Sequence, residues 1–306
     1  MRVLVTGGCG YKGSVLVPKL LALGHEVVVW DIQWFGNYLK SHHSLRIERV
    51  DIRDPLLLPD VEAIIHMAGV ANDPCGELDP KLTWEINALG TMRLADLAAR
   101  SGVGRFLFAS SGSVYGVKGD IAVDETELCV PISEYNKAKM VAERCVLSYR
   151  DFMNVAIIRP GTVCGWSPRQ RLDISVNGLT LQALTHRKIR VGGSHLWRSN
   201  VHIEDITNLY AWLLDNPEIV GTYNAAFENV TLGDIAKQIS SRIECKVEEV
   251  PVTDARSYRI SSEKIVRSGF KPRHNISDAI DKLVEKYRAN ELKDEPQWHN
   301  LLSMPR

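Results

Sequence analysis

The stretch TGGCGYKG, Thr6 to Gly13, follows directly on the mostly apolar run MRVLV. Glycine loses more backbone freedom on folding than any other residue. A glycine-rich run at this point therefore marks a sharp turn, or a backbone that something else must approach closely. The next residues, SVLVPKLLALG (14–24), have the spacing of a helix. Strand, glycine turn and helix in that order form the opening unit of an α/β sheet.

The same rhythm continues down the chain. Apolar, β-branched runs at 2–6, 26–31, 62–69, 105–111 and 154–161 alternate with helical patterns at 14–24, 86–102 and 133–150. Strands that are apolar throughout belong to a parallel sheet buried on both faces. Right-handed crossovers then lead to a doubly wound α/β sheet over residues 1–161. Pro18 is expected in the first turns of its helix, where a missing N–H matters least. Beyond Gly161 the chain turns polar and irregular around CGWSPRQRLD, with helices expected at 203–215, 231–243 and 276–290. Residues 162–306 read as a smaller substrate lobe with crossings back to the sheet. The final KDEPQWHNLLSMPR (293–306) is expected along the surface.

Composition narrows the function. Lysine plus arginine and aspartate plus glutamate both count 37, which removes an electrostatic case for nucleic acid or an anionic membrane. No apolar run approaches the roughly 20 residues of a membrane span, and Val5 passes into the glycines without the regions of a signal peptide. The six cysteines contain no Cys-x-x-Cys pair, so neither a disulfide scaffold nor a structural metal site is expected. The expectation is a cytoplasmic protein with free thiols.

Within the opening turn, Gly7, Gly10 and Gly13 fall at three-residue spacing. That pattern suits a dinucleotide: one glycine for the tight turn, one for backbone approach to the pyrophosphate, one for close helix packing. Tyr11 and Lys12 belong to the same cofactor turn. The second strand ends in Asp31, where a carboxylate holds the adenosine ribose and repels a 2′-phosphate. Ile32 and Gln33 offer no compensating cation, so NAD is expected over NADP. Asp51 and Ile52, after a third strand, are placed at the adenine amine and ring. Met67, Ala68 and Gly69 end a central strand in small residues where the cofactor passes. His66 is read as packed and structural, and Asp73 as a turn residue.

The fourth strand of the pattern runs into FASSGSVYG, putting Ser111 and Ser113 at the ligand-binding edge of the sheet. Tyr135 and Lys139 follow, four apart on one predicted helix face. Tyrosine near pKa 10 is a poor base at neutral pH. A neighbouring ammonium lowers that pKa, allowing a tyrosinate to take a hydroxyl proton beside a serine that binds the same oxygen.

With TGGCGYKG, Asp31, DIRD, HMAG, NALGT, SSGSVYG, YNKAK, RPGTVCG and WRSNVHIEDI in this order, the chain resembles the extended short-chain dehydrogenase/reductase family over about residues 1–290. Within it, the resemblance is to the NAD-dependent nucleotide-sugar epimerases and dehydratases. It implies a Rossmann-type fold, Ser111 as the catalytic serine, Tyr135 as acid and base, and Lys139 on the nicotinamide ribose. It further implies Asn87 at the nicotinamide end, Arg198 on a substrate diphosphate, Asn177 and Arg256 at the nucleotide, and Arg169 and Arg171 flanking the pocket. A homodimer through the helices holding Asn87 and Tyr135 is also implied.

Departures from the family bear on the reaction. Gly112 and Ser113 stand where the 4,6-dehydratases carry Asp-Glu, so dehydration is disfavoured. Ser113 also replaces the cysteine of the double epimerases that complete GDP-fucose. Cys9 and Lys12 are unusual within the turn; Cys9 is small enough to fit, and Lys12 has two orientations open to it, over the phosphates or into solvent. The leading expectation is C4 epimerisation of a nucleoside-diphosphate sugar through a 4-keto intermediate. A 4-dehydrogenase or 4-keto reductase uses the same Ser-Tyr-Lys set, and a dinucleotide sensor has no need of it.

Overall fold

The computed structural model of the chain describes residues 1–119, 121–252 and 257–304. Among them, seven strands form one wholly parallel sheet: β1 (Arg2–Thr6), β2 (Glu26–Asp31), β3 (Leu45–Arg49), β4 (Ala63–His66), β5 (Arg105–Ala109), β6 (Asn154–Pro160) and β7 (Gly221–Ala225). Their order is β7-β6-β5-β4-β1-β2-β3. The chain leaves β1 to one side and returns on the other, creating the switch point at which open α/β sheets bind ligands. Thr6 pairs in register with both Trp30 and His66, so the ends of three strands lie level there.

Burial explains the apolar runs. Val3, Leu4 and Val5 are all fully buried. Val3 and Val5 face α1 (Gly13–Ala22) and a later helix over 203–215. Leu4, Ile64, Phe106 and Phe108 face the opposite layer, which α3 (Thr91–Arg100) and α4 (Glu134–Leu147) build. A short helix, α2 (Asp73–Leu78), precedes them near the strand ends. Pro18 is the sixth residue of α1, in its second turn, with its ring exposed; lacking an N–H, it cannot donate to the Ser14 carbonyl. One helix expectation needs correction. The expected helix at 86–102 opens as a π-turn, Glu85–Gly90, before α3, a feature that often accompanies functional sites.

After β6 come α5 (Ser175–His186), α6 (Ile203–Asp215), α7 (Leu232–Ser240) and α8 (Ile276–Arg288), and α5, α7 and α8 enclose a second core. Of these, α6 returns to the sheet and leads into β7. Arg105 at the start of β5 secures that return, donating to the carbonyls of Leu213 (3.0 Å) and Ile219 (2.9 Å) at the C-terminal end of α6. The tail runs along the surface with a few side chains sunk into the body. Leu292 and Trp298 are buried against Leu172, Leu181 and Leu283, and Met304 packs on Ile52, Val70, Cys75 and Ile86. Trp298 and Met304 each fill a gap in the body, whereas Leu301 and Leu302 stay exposed. Among the described residues no helix is long and apolar enough to cross a membrane.

Candidate functional site

The strand ends open into a cleft of about 630 Å³, the size of a small-molecule site. The glycine turn forms part of its floor. Gly7 has φ +72°, and a Cβ there would stand 2.7 Å from the Ala68 nitrogen. At Gly13 a Cβ would fall 2.3 Å from the Gly8 carbonyl oxygen, so α1 starts hard against the turn. Gly10 lines the cleft, and a Cβ on it would meet only the Gly7 carbonyl, at 3.2 Å. The N-terminus of α1 has no side-chain cap. Bare backbone at an uncapped helix start fits a dinucleotide pyrophosphate.

Asp31 lines the cleft and braces the turn: its Oδ2 accepts from Cys9 N (2.9 Å) and Oδ1 from Gln33 N (2.7 Å). Burial raises its pKa and those two N–H bonds oppose the rise. Cys9 is buried, with its thiol pushed up to about 12, and shows no sign of reactivity. Tyr11 is buried and donates to the Gly165 carbonyl (2.8 Å), tying the turn to the second half. Lys12 points inward rather than into solvent. Its Nζ lies 5.8 Å from the centre of the Tyr210 ring, and burial together with Arg171 lowers it to about 8.

Asp51 and Ile52 also line the cleft; the Asp51 carboxylate is held by Arg53 at 2.6 Å. Met67, Ala68 and Gly69 follow β4 along the same wall. Asn87, by contrast, is not at the cleft surface. It is fully buried behind Gly69, donating to the Val70 carbonyl (3.0 Å), and its Oδ1 has no partner. Asn177 likewise lies off the cleft surface. It is fully buried, and its amide bonds Gly165 N, Tyr11 Oη and the Arg171 carbonyl, so it fastens the 165–171 loop instead.

That loop delivers Arg169 and Arg171 to the cleft. Arg171 pairs with Asp173 at 2.6 Å. Arg169 lies 4.2 Å over the Phe35 ring and donates to Asn300 Oδ1 (2.5 Å), while its Nε has no partner. A guanidinium thus stands near Asp31 although the residues following Asp31 supply none. Arg198 also lines the cleft; Arg256 lies outside the described residues. The sequence reading missed Trp34, Phe35, Arg190, Tyr258 and Asn300 among the lining residues. Only the Trp34–Phe35 pair, aromatic and placed just past Asp31, carried a readable signal.

Ser111, Ser113, Tyr135 and Lys139 converge at the other end of the cleft. Ser111 caps a short 3₁₀ turn, Gly112–Tyr115. Tyr135 is nearly buried, and burial pushes it up to about 12, with the Ser111 hydroxyl beside it. Lys139 stands one turn further along α4. Its ammonium donates to the Ala109 carbonyl (2.9 Å), and burial beside Lys12 brings it down to about 7. Beneath them Glu143 accepts from Ser110 (2.5 Å) and pairs with Arg159 (2.6 Å), which holds Tyr115 (2.9 Å). His66 is structural, bonded to Thr6 (2.6 Å) and Thr91 (2.8 Å). Asp73 is more than a turn residue: it opens α2, lines the cleft and accepts from Asn136 (2.8 Å).

A buried hydroxyl pair beside a glycine-turn nucleotide site suits hydride and proton transfer on a bound alcohol or ketone. Known proteins agree. Residues 3–226 match the model of the NAD dependent epimerase/dehydratase family. The chain is 27% identical to a putative UDP-glucose 4-epimerase of Methanocaldococcus jannaschii, covering 94% of this chain and 99% of the relative. It is 28% identical to UDP-glucuronic acid decarboxylase 1 of Arabidopsis thaliana, over 96% of this chain and 72% of that protein. It superposes on the Thermus thermophilus UDP-glucose 4-epimerase, solved in complex with NAD, with a TM-score of 0.83 and 26% identity, covering 94% and 99% of the two chains. The chain belongs to the NAD-dependent epimerase/dehydratase family, within the extended short-chain dehydrogenases/reductases, and its cofactor is NAD.

Proposed function

We propose that the protein inverts C4 of a nucleoside-diphosphate sugar through a transient 4-keto sugar. The observation that carries this reading is the pairing of Ser111 and Tyr135 in a cleft also lined by Arg171, Arg190 and Arg198. The hydroxyl pair handles the proton of a sugar alcohol, and the guanidinium groups suit a diphosphate. NAD, when bound, reversibly accepts hydride from a sugar carbon. Gly10 and the start of α1 would hold its pyrophosphate, and Asp31 its adenosine ribose. Tyr135 takes the C4 hydroxyl proton and later returns it to the ketone oxygen. Its burial keeps bulk water from trapping or exchanging that proton. The absence of a carboxylate at 110–113 leaves no acid there to expel a hydroxyl from the sugar.

The test is incubation with UDP-glucose, UDP-galactose and UDP-glucuronic acid in deuterated water, followed by NMR. C4 inversion without deuterium in the sugar is expected. Deuterium at C3 or C5 contradicts the mechanism. A pentose product identifies a decarboxylase, and an accumulated ketone with reduced cofactor identifies a dehydrogenase.

A further inference from the structure

Ser111 is linked to Asp73 by a chain of hydrogen bonds whose direction can be deduced. Asp73, as a carboxylate, can only accept; its Oδ1 takes protons from Ser133 Oγ (2.7 Å) and from Asn136 Nδ2 (2.8 Å). With its nitrogen turned to Asp73, Asn136 presents its Oδ1 to Ser113, 2.5 Å away. An amide oxygen cannot donate, so the single Ser113 proton is used on Asn136. The Ser111–Ser113 contact of 2.7 Å then has only one solution: Ser111 donates and Ser113 accepts. Ser111 has no proton left to offer. Of its two lone pairs, one faces Ser113 N (3.3 Å) and the other is available to Tyr135.

We propose that Asp73, acting through Asn136 and Ser113, locks Ser111 as an acceptor for the Tyr135 hydroxyl, so that Tyr135 alone exchanges the proton with the sugar. The proposal rests on Tyr135 as the proton-transferring group of the preceding reading. In the exchange the sugar O–H bond breaks and the Tyr135 Oη–H bond forms, while Ser111 keeps its own proton on Ser113. Asp73, Asn136 and Ser113 are positioning residues for this step. The chain favours the phenol over the tyrosinate, because Ser111 cannot donate to the anion. Other groups also face Tyr135: Lys139 one turn along α4, Arg171 and Tyr258 from the second half, and Tyr210 on α6. Their charges are the same with or without the chain, which makes the chain separable by mutation. Gly76 keeps α2 close enough for the link, since a Cβ there would lie 2.7 Å from Tyr135 Cβ.

The experiment follows Tyr135 ionisation directly, without turnover or a chosen sugar. NAD-loaded protein labelled with ¹³Cζ-tyrosine is titrated by NMR, the Tyr135 resonance being assigned by its loss in Tyr135→Phe. Ser113→Ala releases the Ser111 proton for the tyrosinate and lowers the midpoint by about one pH unit. Asp73→Asn, a near-isosteric change that serves if Ser113→Ala folds poorly, removes the obligate acceptor and shifts the midpoint the same way. In the double variant most of the Asp73→Asn shift is lost. An unmoved or raised midpoint in Ser113→Ala overturns the proposal. So does an Asp73→Asn shift that survives in full in the Ser113→Ala background, which would mean that Asp73 acts only as a charge. Either failure leaves the sugar chemistry untouched, and a failed sugar assay leaves this titration standing.

Discussion

At the scale of single residues, Tyr135 shows what burial does to a reactive group. Low exposure pushes it up to about 12, so the fraction ready to act as a base grows with pH across the neutral and alkaline range. Replacing it with phenylalanine removes the proton acceptor while leaving the ring packed against Gly76. Activity is expected to fall by about 10²–10⁴-fold and to lose its rise with pH, with bound NAD unchanged. Rate–pH profiles together with cofactor content by chromatography check this; full activity in the phenylalanine variant would refute a catalytic Tyr135. Ser111, Tyr135 and Lys139 were legible because a helical i, i+4 pair and a strand-end serine are local patterns. Asp73 was not, since its importance comes from Asn136, 63 positions away.

At the scale of elements, His66 joins three pieces. It ends β4, bonds Thr6 at the end of β1, and bonds Thr91 where the π-turn passes into α3. Burial lowers its pKa to about 3, against 6.5 for an exposed imidazole. The unfolded chain therefore binds a proton that the folded chain refuses between those values. Stability from this group is fully present above pH 6.5 and is lost as pH falls toward 3, by roughly 2 kcal/mol at pH 5. Thermal melts between pH 7.5 and 4.5 should fall less steeply for His66→Gln than for the wild type. Equal slopes would show that other groups govern acid unfolding. The same neighbourhood explains the misplaced Asn87: a helix that opens as a π-turn carries this side chain to the back of Gly69 instead of into the cleft.

At the scale of the whole molecule, the cleft is closed by segments remote in sequence. The tail brings Asn300 to Arg169, which lies over Phe35 beside the adenosine end proposed for NAD. Asn300→Ala leaves that buried guanidinium short of a partner. NAD affinity is expected to weaken about tenfold or more, and the melting temperature to fall even in the absence of NAD. Calorimetric titration of cofactor-stripped protein measures this; an unchanged Kd would mean that the tail only packs.

The sequence by itself determined the sheet and the cofactor turn, because both depend on short-range regularities. Buried parallel strands must be apolar throughout, and a pyrophosphate at a helix start requires bare backbone at Gly7, Gly10 and Gly13. Only the tertiary structure decided which polar side chains line the cleft. Asn177 and Asn87 were drawn into buried hydrogen bonds, because an amide left unpaired in the interior is costly. Lys12 turned inward, and Arg169, Asp73 and Asn300 entered the cleft. Those outcomes follow from contacts between distant segments, which no spacing along the chain encodes.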